Sequence, residues 1–193
     1  VKSLVISGTD VYIGGNFTTV GGNAANYIAK WNGTVWSTLG TGMDGSVNAV
    51  AASGTDIYAG GAFTNAGGVA SSNIAKWDGT SWSALGAGVG GAVKSIAVLG
   101  TDLYVGGNFT TAGGNTAYYI AKWDGTSWSA VGGGIAGQVL ALAVSGANLY
   151  AGGSFANAGG VTGTSGVAKW DGTAWTPLGT GTGTTYAIAM SGT

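Results

Sequence analysis

Carboxylates are the only side chains in this sequence suited to acid, base or hard-metal chemistry. There are seven, all aspartates. Six recur at a fixed spacing: Asp10, Asp56 and Asp102 are 46 residues apart, and Asp78, Asp124 and Asp171 step by 46 and 47. Paired carboxylates can hydrolyse glycosides, and clustered ones can hold a cation. Both uses fail a comparison between copies. Asn148 stands where the first series would place a fourth Asp, and Asn32 where the second would begin. An Asx side chain, charged or neutral, serves a turn by accepting from its own backbone two residues on. Turn chemistry is therefore the expected role, with Lys30, Lys76, Lys122 and Lys169 nearby to offset the charge. No catalytic residue, metal ligand set or cofactor is expected, and the chain is not expected to be an enzyme.

The rest of the composition narrows the chemistry further. There is no His, which removes the usual general base and the commonest metal ligand. There is no Cys, so no disulfide or thiolate chemistry is available. The repeated double glycines lack the helix and Lys of a phosphate loop. A net charge of −1 with no basic run gives no field to attract nucleic acid or an anionic membrane. No stretch approaches about 18 uninterrupted apolar residues, so no membrane span is expected. The chain opens on Val1 without a signal peptide and reads as a processed or excised piece of a longer protein.

Aromatics are the other candidates for a site. Eight Trp residues recur in pairs, Trp31 with Trp36, Trp77 with Trp82, Trp123 with Trp128 and Trp170 with Trp175. Sugar stacking is one use, but their fixed framework position favours packing. Differences between copies collect instead in the long loops "GGNAANY" (21–27), "GGVASSN" (67–73), "GGNTAYY" (113–119) and "GGVTGTSG" (159–166). Variable loops on a rigid scaffold commonly carry binding. Tyr27, Tyr118 and Tyr119, with Asn115, are the candidate ligand-binding residues there. Sequons at Asn16, Asn32 and Asn108 are candidate glycosylation sites for a secreted eukaryotic source, with Asn32 the most accessible.

The elements that position these residues follow from the repeat. Phe17, Phe63, Phe109 and Phe155 are each 46 apart, as are Gly8, Gly54, Gly100, Gly146 and Gly192. The units are 1–46, 47–92, 93–138 and 139–184, and 185–193 begins a fifth. Between 41 glycines the chain is rich in Val, Ile, Thr, Tyr and Trp and poor in helix formers. In the second unit four strands are predicted: "VNAVAAS" (47–53), "IYAGGAF" (57–63), "NIAKW" (73–77) and "SWSALG" (81–86). The "GTD" and "DGT" turns close hairpins between them, and "TNAGGVASS" (64–72) is a longer loop. Ile74 and Trp77 point to opposite faces of one strand, so each sheet needs cover on both sides. Packing similar sheets around an axis supplies it. The sequence thus predicts an all-β chain, a β-propeller of four-stranded antiparallel blades with one extra strand at the end. A linear stack of sheets is the competing geometry. The Asp-bearing turns should emerge at one end of each blade and the variable loops at the other.

The motifs "YIGG" (12–15), "YAGG" (58–61), "YVGG" (104–107) and "YAGG" (150–153), each followed by an aromatic pair, resemble the kelch pattern. The whole unit more closely resembles the "GGNFT…IAKWDG…W…LG" repeats of bacterial surface proteins and of the fungal cortical-marker propeller family. That resemblance covers the entire chain and implies a propeller fold. It says little about function. Low charge and a repeated framework favour a non-catalytic extracellular scaffold or adhesion module, with a carbohydrate-binding propeller as the alternative. Expected partners are other copies of the chain, extracellular proteins or glycans, at the cell surface. Residues 1–7 and 185–191 are homologous strands. Propellers have roughly four to eight blades. Two chains in an eight-bladed ring, or one segment of a longer array, are therefore expected over a closed four-bladed monomer.

Overall fold

A computed structural model describes residues 1–191, so Gly192 of the glycine series and the end of the partial fifth unit lie outside the described residues. Those residues form 22 strands and no helix. They divide into two compact units, one over Val1–Val93 and one from Lys94 onward.

The first unit holds two blades. Blade 1 comprises β1 (Ser3–Ser7), β2 (Asp10–Gly14), the ribbon β3 (Thr19–Val20) and β4 (Asn23–Ala24), then β5 (Ile28–Trp31) and β6 (Trp36–Thr38). Blade 2 repeats it with β7 (Ser46–Ser53), β8 (Asp56–Ala62), the ribbon β9 (Asn65–Ala66) and β10 (Val69–Ala70), β11 (Ile74–Trp77) and β12 (Trp82–Ala84). Each blade is an antiparallel sheet in chain order, β1-β2-β5-β6 and β7-β8-β11-β12. The first hairpin is a two-residue turn between Ser7 and Asp10, with Gly8 at φ 60°. Glycine at that first central position matches the turn whose twist suits a hairpin.

The long connection, a longer loop by sequence, carries a short two-stranded ribbon. In blade 2, Asn65 and Ala66 pair with Ala70 and Val69 across Gly67 and Gly68, whose φ values are 59° and 85°. Two consecutive positive φ angles make the tight mirror-image turn, and Gly-Gly supplies both.

The second unit repeats the plan. Blade 3 contains β13 (Ala92–Leu99), β14 (Asp102–Asn108), the ribbon β15 (Thr111–Ala112) and β16 (Asn115–Thr116), β17 (Ile120–Trp123) and β18 (Trp128–Ala130). Blade 4 contains β19 (Ile135–Ser145), β20 (Asn148–Ala158), β21 (Val167–Trp170) and β22 (Trp175–Pro177). Its ribbon shrinks to one bridge, Ala158 with Val161. Buried Thr164 ties the loop down, accepting from Ala158 N at 2.8 Å and donating to the Val161 carbonyl at 2.6 Å.

Alternation buries both faces of each sheet. In the first unit Ile57, Phe63, Leu39, Val47 and Trp82 share one core. In the second, Ile120, Val131, Val139, Leu149 and Trp175 do the same. Small residues let neighbouring blades approach: a Cβ on Gly14 would run into Val47, and one on Gly106 into Val139. Repeated four-stranded antiparallel blades, packed face to face within each unit, are the building plan of a β-propeller.

The extra strand expected at the end does not form. Residues 185–190 lie along blade 4, with Thr185 N donating to the Gly153 carbonyl at 3.1 Å, yet no strand is present there. A strand needs a ladder, and among the described residues no second strand faces this segment.

Candidate functional site

The antiparallel order puts both Asp-bearing turns at one end of each blade and the long connection at the other. At the Asp end the carboxylates are committed locally. Asp10, Asp56 and Asp102 pair with Lys30, Lys76 and Lys122 at 2.9, 3.1 and 3.0 Å. The hydrogen bond that each Lys donates to its Asp raises the Lys pKa. Asp78 Oδ1 accepts from Thr80 N and Ser81 N, both at 2.8 Å. Asp124 and Asp171 repeat the arrangement. Backbone N–H donors hold Asp78 and Asp124 well below the usual carboxylate range, and Asp171 at about 2. Among the described residues no cluster of three or more carboxylates is placed to hold a metal ion. Asp78, Asp124 and Asp171 thus serve their turns, whereas Asp10, Asp56 and Asp102 pair with a Lys on the neighbouring strand of the sheet.

The Trp pairs are framework. Each is a directly opposed cross-strand pair with ring centroids 5.3–5.4 Å apart. Trp82 is buried and its Nε1–H donates to the Leu39 carbonyl at 2.8 Å. Trp77 is only half-buried, so the second Trp of the pair carries most of the packing.

The long-connection end differs between the units. In the first, Asp44 is the centre of a closed network. Its carboxylate accepts from Thr64 N at 2.8 Å, Thr64 Oγ1 at 2.6 Å, Asn65 N at 2.9 Å and Asn65 Nδ2 at 2.8 Å. Burial alone would raise its pKa, but these four bonds outweigh burial and hold it well below the usual range. Beside it, Asn26 Nδ2 donates to the Thr41 carbonyl at 2.9 Å. Asp44 was not singled out by sequence. The available signal was that it alone among the seven Asp belongs to neither series.

In the second unit, Ala136 occupies the repeat position of Asp44, and Tyr118 that of Asn26. Both changes remove the network and leave a cavity of about 260 Å³, lined by Tyr118, Tyr119, Gly134, Ile135, Ala136 and Asn157. Tyr118 is 51% exposed. Tyr119 has φ 62°, a rare conformation for a bulky residue. Backbone bonds hold it there: its N–H donates to Phe109 O at 2.9 Å and its carbonyl accepts from Gly107 N at 3.0 Å. A second cavity of about 370 Å³ shares Ala136 and reaches Ser154, Phe155 and Ser165.

Of the residues nominated by sequence, Tyr118 and Tyr119 come together at this cavity. Tyr27 has the same strained backbone, φ 65°, and packs on the core of the first unit as Tyr119 packs on that of the second, but it does not line this cavity. Asn115 is exposed on β16 and does not line the cavity. Asn16, Asn32 and Asn108 are all exposed. Asn32 Oδ1 is occupied, accepting from Thr34 N, Thr34 Oγ1 and Val35 N.

Four-stranded blades that spend their charged groups on turns and differ mainly at one loop end define a β-propeller scaffold. A family model described as the Rax2 C-terminal β-propeller domain matches residues 37–189, and the chain belongs to that family. Among solved structures, the computationally designed Ika8 protein is similar at 18% identity and TM-score 0.56, over 99% of this chain and 65% of that one. YCF48 bound to D1 peptide is 18% identical with TM-score 0.49, over 92% of this chain and 52% of that one. The chain therefore spans less than two thirds of either structure's length. No curated protein matches it.

Proposed function

We propose that this propeller is a non-catalytic interaction module of the extracellular face or cell surface, and that it binds its ligand at the long-connection end of the second unit. One observation carries the reading. Where the first unit ties its blade tip together with the Asp44 hydrogen bonds, the second puts Ala136 and Tyr118, beside an open cavity. A rigid sheet framework below and backbone-fixed Tyr119 beside it give that cavity a preformed wall. The family assignment and the scarcity of charged residues support a scaffold role. Extracellular proteins are the first class of ligand. Glycans are the second reading, favoured by the exposed Tyr118 ring, since an aromatic face can stack on a sugar.

The test is a titration of the chain against a displayed-peptide library and a glycan array. Saturable binding should be lost in Tyr118→Ala and in Ala136→Asp, and kept in Tyr27→Ala. Binding that survives both cavity substitutions would refute this placement of the site.

A further inference from the structure

The strand pairing at the loop end carries the same one-for-two mismatch in both units. In blade 2, Met43 pairs with Ala66 and Ser46 with Ala62, and Asp44 faces both Thr64 and Asn65. In blade 4, Ile135 pairs with Ala158 and Gly137 with Phe155, so Ala136 alone faces Ala156 and Asn157. The flanking bond is kept as well: Gly67 N donates to Gly42 O at 2.7 Å, and Gly159 N to Gly134 O at 2.8 Å. Such a bulge puts two consecutive N–H groups opposite one residue, and consecutive N–H groups make a cradle for an anion.

The first unit shows what that cradle holds. Asp44 Oδ1 takes Thr64 N at 2.8 Å and Asn65 N at 2.9 Å, while Oδ2 takes Thr64 Oγ1 at 2.6 Å and Asn65 Nδ2 at 2.8 Å. These donors hold Asp44 well below the usual carboxylate range, so they favour the ionised form. The second unit drops the carboxylate and keeps three of the four donor positions, Ala156 N, Asn157 N and Asn157 Nδ2. Among the described residues no side chain accepts from any of the three. Asn157 Oδ1 takes Gly160 N at 3.2 Å, which leaves Nδ2 as the outward donor of that carboxamide. Space is present too: the cavities of about 260 and 370 Å³ share Ala136, with Asn157 lining the first and Ala156 the second. Residues 109–119, 131–137 and 155–166 contain no charged side chain, so no fixed carboxylate there repels an anion.

We propose that this cavity takes a carboxylate from its ligand, an Asp or Glu side chain of a protein partner seated beside Ala136 where the first unit places the carboxylate of Asp44; this rests on the cavity being the binding site. The occupant follows from the repeat. What fills the cradle in the first unit is an aspartate on a peptide backbone, and the donors left in the second are those that met it. Bonds to an ionised acceptor are the stronger kind, which suits a shallow site with few contacts. A C-terminal carboxylate has the same chemistry, and the probes separate the two sources.

Backbone amide NMR of the whole chain reads the donors directly. The probes are a short Asp peptide blocked at both ends, its Asn counterpart, and an all-Ala peptide with a free C-terminus. The Asp peptide should shift the Ala156 and Asn157 amides saturably. The Asn peptide should bind at least roughly tenfold more weakly, because its acceptor is uncharged. The all-Ala peptide should also be the weaker; if it binds tighter than the Asp peptide, the side-chain assignment is overturned in favour of a chain end. Ala136→Asp supplies the carboxylate from within and should abolish the shifts. Lys122→Ala, at the Asp end of the blade, should leave them unchanged. Asp44→Ala should create a second site, its Thr64 and Asn65 amides now responding to the Asp peptide. No shift with any carboxylate probe overturns the proposal. So do shifts that survive Ala136→Asp or that need Lys122, and so does an Asp44→Ala chain whose Thr64 and Asn65 amides ignore the Asp peptide. Asp and Asn peptides that bind alike, yet lose binding in Tyr118→Ala, overturn the carboxylate and leave the cavity as the site. Binding indifferent to both Tyr118→Ala and Ala136→Asp overturns the cavity as well.

Discussion

The loop ends of the two units solve one packing problem with opposite chemistry. Below the loops they are built alike: β8 and β14 both pair with an "IAKW" strand, and Val47 and Val139 fill the same space above a glycine. At the tip, exposed Asp44 gathers four hydrogen bonds from Thr64 and Asn65. Ala136 gathers none, and of the two donor residues Thr64 is replaced by Ala156 while Asn65 is kept as Asn157. The difference teaches that a repeat protein can leave a cavity at one tip by dropping a single hydrogen-bonding side chain. The framework keeps every blade standing, so one tip can lose its closing network without the sheet losing its core.

The largest expected effects fall on what the two regions share. Trp82→Ala and Trp175→Ala each remove a buried indole and should cost about 3–5 kcal/mol in denaturant unfolding. Trp82 should cost the more of the two, because its Nε1–H bond is 2.8 Å rather than 3.4 Å. Trp36→Ala, at a half-buried position, should cost clearly less than either. Equal losses at Trp36 and Trp82 would break the assignment of the second Trp to the joint between blades.

Next comes Asp44→Ala, which leaves its donors to solvent and should cost about 1 kcal/mol at neutral pH. The pH sign follows from the depressed pKa. The folded-state pKa lies below the unfolded value, so the contribution is full above the ordinary Asp range near 4 and is lost as pH falls through the folded pKa. Urea unfolding at pH 7 and at pH 2–3 should therefore show the gap between native and Asp44→Ala narrowing in acid. A gap that widens in acid would mean the carboxylate is not held ionised by Thr64 and Asn65.

The reciprocal change is smaller in stability. Ala136→Asp finds no hydroxyl at Ala156, and should alter unfolding by less than about 0.5 kcal/mol while filling the cavity. Smallest of all, Lys122→Ala breaks a surface pair whose side chains are 33% and 28% exposed. It should change stability by about 0.5 kcal/mol or less, and less still in high salt. A large loss there would show that the Asp end contributes more than its turns.

Much of this was legible in the sequence because a repeat announces itself. Period, strand order, the hairpin turns and the end of each blade carrying Asp all follow from alternation and from Gly and Asx placement. Fidelity fell where the local code is permissive. "TNAGGVASS" (64–72) reads as a longer loop, although its two glycines also suit the tight turn that forms there. "TYAIAMSGT" has the composition of a strand but forms none over its described residues, because ladder bonds come from a neighbour and not from propensity.

The candidate site divides along the same line. Sequence alone singled out Tyr118 and Tyr119 as variable aromatics in a loop, since residues that escape the repeat are free of its packing demands. Only tertiary structure decided that Tyr118 and Tyr119 line a cavity and that Tyr27 does not line it. Only tertiary structure revealed Asp44 as the group whose replacement opens it. The physical reason is range. A turn is closed by atoms two or three residues apart, which periodicity records. The Asp44 network joins residues 20 and 21 positions apart, and what fills that space depends on how two strands meet.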